Sequence, residues 1–367
     1  MSGSNPQPLL LRALLDPQSV AEFEPADWNR LLPTARAAGL LPRLANLLGE
    51  APQGTPLPGK VRDHLRGATN MAAQHERIVR WEVDRVLHAL AGLGIDVVLL
   101  KGAAYLMAGL PASRGRLVSD VDIMVPKARI EQVEQALLEE GWEATKLDPY
   151  DQRYYRQWMH ELPPLQHGAR QSSLDVHHTI LPESGRLHPD PEKLFASARP
   201  LELPGLRVLC PEDMVLHSAA HLFQDGDLAG GLRDLCDLDA LMRDFAAGDG
   251  EFWERLARRA VEMDLSRPAF YALRHTSRIL ATPVPGGLLE QSAAWGPPAP
   301  VRALMDRLVD RALLGDLDRA SSRSQAARLA LYVRSHYLRM PPGLLVQHLS
   351  RKAWQSFEKD DPERDAA

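Results

Sequence analysis

The 367-residue sequence predicts an α+β protein: a small mixed β-sheet core set between an N-terminal helical region and a helical C-terminal region. Two observations carry this. Apolar residues recur at helical spacing from residue 8 to about 91 and again from Pro211 to about residue 350. Between them the period changes, and short β-branched and apolar runs stand behind glycine-bearing turns. The expected divisions are residues 1–92, 93–210 and 211–350, with a disordered tail over 351–367 where "EKDDPERDAA" is rich in charge.

Residues 8–50 read as short helices, broken at Pro33 and Pro42. "APQGTPLPG", 51–59, is a Pro/Gly linker. A long helix is expected over about 60–91, stopped by Gly92 and Gly94. "IDVVLL", 95–100, suits a buried strand; Gly102 makes a turn, and "AAYLMAGL" forms a short helix. "SDVDIMV", 119–125, is the second strand, and 128–141 is a helix ending at Gly141. "WEATKL" and the stretch 150–180 are read as further strands, "SSLDVHHTI" most clearly.

Composition excludes several classes. Hydrophobic content of 45% and charged content of 25% are ordinary for a soluble globular chain. The formal net charge of -5 argues against polymeric nucleic acid as an obligate partner. Cys210 and Cys236 form neither a disulfide framework nor a CxxC metal pair, which suits a reducing cytoplasm. The N-terminal apolar run is interrupted by Arg12 and lacks the flanks of a signal peptide. No run approaches the roughly 20 apolar residues of a membrane span.

The unusual chemistry lies in "VVLLKGAAYLMAGLPASRGRLVSDVDIMV", 97–125. Strand side chains alternate faces, so Val121, Ile123 and Val125 share one face and Asp120, Asp122 and Met124 the other. The apolar set fits a core and leaves the aspartates pointing away from it. Two carboxylates that close repel unless a cation lies between them or one is protonated. A hard divalent ion such as Mg²⁺ resolves this, with water and phosphate supplying the remaining oxygens. In "SSLDVHHTI", Ser173, Asp175 and His177 share a face, so Asp175 supplies a third carboxylate if the two strands are neighbours. Three carboxylates can hold two Mg²⁺ ions and deprotonate a hydroxyl. D-x-D alone also describes a solvated strand face. Ahead of it, the "LLKGAAY" turn aims backbone N–H groups at an anion, and Lys101 adds a charge suited to phosphate. Neither GxxxxGK[ST] nor GxGxxG is present.

Other residues stay open. His217 and His221 share a helix face at a spacing that can bind zinc, but H-E-x-x-H is absent and packing beneath the site explains them as well. His177 stands beside Asp175, within reach of substrate. Arg116 either contacts phosphate or pairs with a carboxylate of the sheet. Tyr154, Tyr155, Trp158 and His160 line either an acceptor pocket or a packed hairpin. Asp234, Asp237 and Asp239 read as a helix face.

Taken in order, these motifs resemble the nucleotidyltransferase superfamily that includes polymerase β and the aminoglycoside nucleotidyltransferases. More closely, they resemble the bacterial "uncharacterised nucleotidyltransferase" family. The resemblance spans roughly residues 75–245 and rests on the L-K-G turn at Lys101 and Gly102, Arg116, D-x-D at Asp120 and Asp122, "LDVHH" with Asp175 and His177, "CPEDMVLHSAAHL" with His217 and His221, and "LRDLCDLDAL". It implies a small mixed sheet flanked by helices, two Mg²⁺ ions, and transfer of a nucleoside monophosphate from an NTP such as ATP to an acceptor hydroxyl. Asp120, Asp122 and Asp175 would be the catalytic metal ligands. Lys101, Gly102, Ala103 and Arg116 would bind the nucleotide phosphates, and His177 and His221 would contact substrate. The usual Gly-Gly or Gly-Ser turn is replaced here by Gly102-Ala103, so a hydroxyl contact to phosphate is lost. Two other functions remain: a catalytically silent nucleotide-binding scaffold of the same fold, and a metal-dependent phosphohydrolase built on His177, His217, His221 and the aspartates.

Overall fold

The computed structural model describes residues 7–50, 57–145, 155, 159–224, 228, 230–315, 317, 321–339 and 343. Most of the Pro/Gly linker, Tyr154, Trp158 and the tail from 351 lie outside the described residues.

The N-terminal region is helical, as its periodicity predicts: α1 Leu9–Leu15, α2 Pro25–Ala37, α3 Leu41–Glu50 and the 32-residue α4 Gly59–Leu90. The expected break at Pro33 does not occur, because α2 runs through it. Buried Trp28, Leu31, Leu32 and Ala35 hold both halves of the helix to the core. Pro33 and Asn29 are both exposed, so water can satisfy the carbonyl that proline leaves without a donor. The break expected at Pro42 is found: α2 ends at Ala37, Gly39 takes φ 67°, and Pro42 lies in the first turn of α3, where its lost N–H would have no partner anyway. A 3₁₀ turn, Ala91–Leu93, closes α4, and Gly94 in the left-handed region (φ 61°) redirects the chain.

All strands among the described residues fall between 97 and 208: β1 Val97–Leu100, β2 Val121–Met124, β3 Trp142–Ala144, β4 Leu165–His167, β5 Ser173–His177, β6 Arg199–Pro200 and β7 Leu206–Val208. They form one seven-stranded mixed sheet of order β3-β4-β5-β2-β1-β7-β6. β1 runs antiparallel to β2 and parallel to β7, and β2 runs parallel to β5. β1 and β2 are central and buried at every position, which explains why β1 reads as a continuous apolar run. The described part of 150–180, residue 155 and residues 159–180, is less regular than its sequence suggests, and the rest lies outside the described residues. β4 and β5 occupy part of it, Tyr155 is helical, and Glu161 makes an isolated bridge to His177. Between strands lie α5 Lys101–Met107, α6 Ile130–Glu139 and α7 Pro191–Ser197, and α4 packs against α5, α6 and β2.

From residue 211 the chain is helical: α8 Pro211–Gln224, α9 Gly231–Gly248, α10 Phe252–Glu262, α11 Ser266–Leu280, α12 Gly286–Ser292, α13 Ala299–Leu314 and α14 Ser322–Arg339. α8 is the hub, contacting α9, α10, α11 and α5. Its buried acids are paired: Asp213 with Arg259 at 2.8 Å and Glu212 with Arg255 at 2.7 Å. No helix among the described residues is long and apolar enough to cross a membrane.

Candidate active site

The site begins where β1 becomes α5. Lys101, not Gly102, makes this turn, since Lys101 adopts φ 46° and Gly102 lies within the helix. A lysine in the left-handed region is strained by about 1 kcal/mol or more and persists only where its surroundings demand it. The demand here is visible: Lys101 Nζ donates to Asp122 Oδ1 at 2.8 Å. Gly102 has a different reason to be glycine. A Cβ there would overlap the Arg116 guanidinium and lie 3.0 Å from Val118 Cγ2.

Asp122 stands in register with Leu100 on one neighbour and with Asp175 on the other. Adjacent parallel strands therefore set two carboxylates side by side. The expectation that the aspartate face points away from the core does not hold for Asp122, which is 2% exposed, with Met124 fully buried beside it. Both faces of β2 are covered. Asp120 lies just before the strand, half-buried, and accepts the Ser119 hydroxyl at 2.8 Å. One ligand atom each from Asp122, Asp175 and His177 lie within 4.8 Å of one another. The structure thus gathers Asp122, Asp175 and His177 and leaves Asp120 at the rim of that group.

The charges are unequal. Burial raises the Asp122 carboxyl, but the Lys101 ammonium and His177 Nε2, 3.2 Å from the same Oδ1, overrule it and hold the group far below the usual carboxylate range. Burial likewise opposes charge on Lys101, and the facing Asp122 reverses that effect and raises it. At Asp175 the nearby His177 also pulls the carboxyl down but does not prevail. Burial, then the neighbouring Glu161 and Asp122 carboxylates, push it up to about 7. Among the described residues it has no hydrogen bond or ion pair.

Other expected residues fall around this centre. His177 is 1% exposed and tightly held, and Glu161 beside it, Oε2 3.3 Å from His177 Nδ1, was not singled out from sequence. Its only signal was the "HEL" at 160–162. His217 on α8 is buried, and burial with the nearby Lys101 and His221 keeps it neutral. Among the described residues, neither His217 nor His221 joins a three-residue group of metal-ligating side chains. Ala103 is fully buried. Arg116 is committed elsewhere: its Nε donates to Asp237 Oδ2 at 2.6 Å, and Arg43 donates to Asp237 Oδ1 at 2.5 Å. Asp237, which sequence places only on a helix face, is therefore the buried anion joining α3, the 114–118 loop and α9. Gly115 (φ 68°) fits that join, because a Cβ would meet the backbone of Pro42 and Arg43. Arg116 and Val118 line a 230 Å³ hollow with His75, Glu76 and Leu106, and none of Asp120, Asp122 and Asp175 reaches it.

The donor set fits a divalent cation. Two carboxylates on adjacent strands, one without a partner, offer hard oxygen ligands and leave positions for water and phosphate. Lys101 beside them adds a cation suited to a phosphate oxygen.

No curated protein and no solved structure matches the chain. A protein-family model does match, over residues 24–281, a range that takes in the last N-terminal helices, the whole sheet and α8 to α11. The chain belongs to the uncharacterised nucleotidyltransferase family.

Proposed function

We propose that the protein is a cytoplasmic, Mg²⁺-dependent nucleotidyltransferase that moves a nucleoside monophosphate from an NTP to a hydroxyl of a small molecule, peptide or protein. The supporting observation is the Asp122–Asp175 pair on neighbouring parallel strands, one carboxylate charged and held by Lys101, the other pushed up to about 7. Asp122 and Asp175, with Asp120 from the rim, are the metal-binding residues. Bound Mg²⁺ would neutralise charge on the triphosphate and complete the charge balance of the aspartates.

The remaining roles belong to the chain. Asp175 accepts the proton of the acceptor hydroxyl, whose oxygen forms a bond to the α-phosphorus as the bond from that phosphorus to the bridging oxygen breaks. Pyrophosphate leaves with that electron pair. Lys101 moves from Asp122 to a phosphate oxygen when the nucleotide enters. Gly102 and Arg116 shape the turn that carries Lys101, rather than touching phosphate themselves. His177 fixes the Asp122 carboxylate by its hydrogen bond.

A second reading has an observation in its favour. Lys101 already gives Asp122 a cation, the arrangement expected of a silent nucleotide-binding scaffold that needs no metal. One experiment separates the two: incubation with Mg²⁺, each α-³²P-labelled NTP and cell extract, for wild type and Asp122→Asn. Label moved by wild type alone supports transfer. NTP binding without transfer supports the scaffold. Absence of both overturns the assignment of Asp122 and Asp175.

A further inference from the structure

Beside the aspartate pair lies a second cluster of different chemistry. The segment 160–162 runs along β5: Leu162 N–H donates to the Val176 carbonyl and His178 N–H to the His160 carbonyl, both at 2.9 Å. This pairing brings His160 and Glu161 against His177. Glu161 Oε2 lies 3.3 Å from His177 Nδ1 and 3.9 Å from His160 Nε2, and the imidazole rings are 5.2 Å apart between centroids. One ligand atom from each of the three residues lies within 4.8 Å of the others. His160 and His177 are 7% and 1% exposed, and the Glu161 side chain 15%.

We propose that His160, Glu161 and His177 form a binding site for a divalent transition-metal ion of borderline softness, Zn²⁺ or a similar ion, distinct from the site at Asp122 and Asp175. Three arguments carry it. Two imidazoles and one carboxylate are a ligand set that selects such ions over Mg²⁺, which prefers oxygen alone. Bonds of about 2.0–2.2 Å around one ion place neighbouring donor atoms roughly 3–4 Å apart, and the separations of Glu161 Oε2 from the two imidazoles, 3.3 and 3.9 Å, fall there without rearrangement. Finally, His177 is already oriented for the task. Its Nε2 faces Asp122 Oδ1 at 3.2 Å, so Nε2 carries the proton and donates while Nδ1 points to Glu161. A ligating histidine commonly donates its other ring N–H to a carboxylate, which fixes the tautomer and strengthens the ligand. Asp122 would thus serve both sites, as a ligand on one side and as the hydrogen-bond acceptor of His177 on the other. With three protein ligands the ion keeps an open coordination position.

The test uses the full-length protein stripped with a chelator and titrated with CoCl₂, whose visible absorption reports nitrogen coordination, followed by displacement with ZnCl₂. With MgCl₂ in excess to fill the aspartate site, wild type is expected to take up one equivalent of Co²⁺, released by one equivalent of Zn²⁺. His160→Gln and Glu161→Gln should each lose at least about tenfold in affinity, and Asp175→Asn should bind as wild type does. Two replaced ligands guard against one variant failing to fold, with circular dichroism checking each. No uptake by folded wild type overturns the site. Unchanged uptake by folded His160→Gln and Glu161→Gln also overturns it, as does loss in Asp175→Asn equal to theirs, which places the ion at the aspartates. Nucleotide transfer enters none of these readouts, so the two assignments stand or fall separately.

Discussion

Lys101 Nζ meets Asp122 Oδ1 at 2.8 Å across the turn from β1 into α5, and the lysine holds a left-handed backbone to do so. The ammonium therefore stabilises the charge of a carboxylate that is 2% exposed. Removing it leaves Asp122 with His177 alone. Lys101→Met should lower the unfolding free energy in EDTA by about 3 kcal/mol, the usual cost of breaking a buried pair. Mg²⁺ should restore part of that loss in the variant more strongly than in wild type. Denaturant melts with and without the ion read both effects, and a variant as stable as wild type in EDTA would show that the pair contributes nothing.

Asp175 carries the opposite imbalance. Its folded-state pKa of about 7 exceeds the ordinary 3.8, so between those values the native state binds more protons than the unfolded chain. Stability from this group is full below about pH 4 and is lost as pH rises through 7. Asp175→Asn should abolish transfer, yet raise the unfolding free energy of the metal-free protein at pH 8, by about 4 kcal/mol at most. Its gain over wild type should shrink toward pH 4. A variant less stable than wild type at pH 8 would contradict this account.

Gly102 and Arg116 are coupled by contact. Gly102→Ala should destabilise the protein by about 1–3 kcal/mol, because a Cβ would displace the Arg116 guanidinium from Asp237. In the Arg116→Ala background the same substitution should cost much less. A double-mutant cycle with coupling under about 0.5 kcal/mol would place the strain elsewhere.

Asp237 pairs with both Arg43 and Arg116. Asp237→Ala should cost about 3–5 kcal/mol, since two buried guanidinium groups would then face each other. The double variant Asp237→Ala with Arg43→Met should recover part of it. Urea denaturation of the three proteins tests the order.

His275 sets an acid limit of its own. It is fully buried against Phe223 and Tyr271, and burial pulls its pKa down to about 3. The neutral ring is the folded form, so stability from this group is full above about pH 6.5 and is lost as pH falls toward 3. His275→Phe should be less sensitive to acid between those values by about one proton in the slope of unfolding free energy against pH. An unchanged slope would show that the ring titrates freely in the native state.

Much of this was legible in the residues. The helical period, its interruption at 95–100 and its return at 211 set the order of elements, because burial of one face imposes a period that side chains must obey. The alternation in "SDVDIMV" and "SSLDVHHTI" put Asp122 and Asp175 on strand faces. The wrong readings share a cause. Local backbone preference predicts a break at Pro33 and a turn at Gly102, and tertiary packing outweighs it: α2 is held through its proline by Trp28 and its neighbours, and Gly102 is small for the sake of a side chain fourteen residues away.

Patterning and composition are local properties, so the chain alone marks which residues are unusual: a lysine before a glycine, two aspartates in an apolar run and a third in another. Which of them meet depends on contacts between distant segments. Strand order and register place Asp122 beside Asp175 rather than leaving it paired with Asp120, draw Glu161 and His160 to His177, and turn Arg116 toward Asp237. Those pairings join residues up to 121 positions apart, and the hydrogen bonds and buried charges that choose them exist only once the chain has closed on itself.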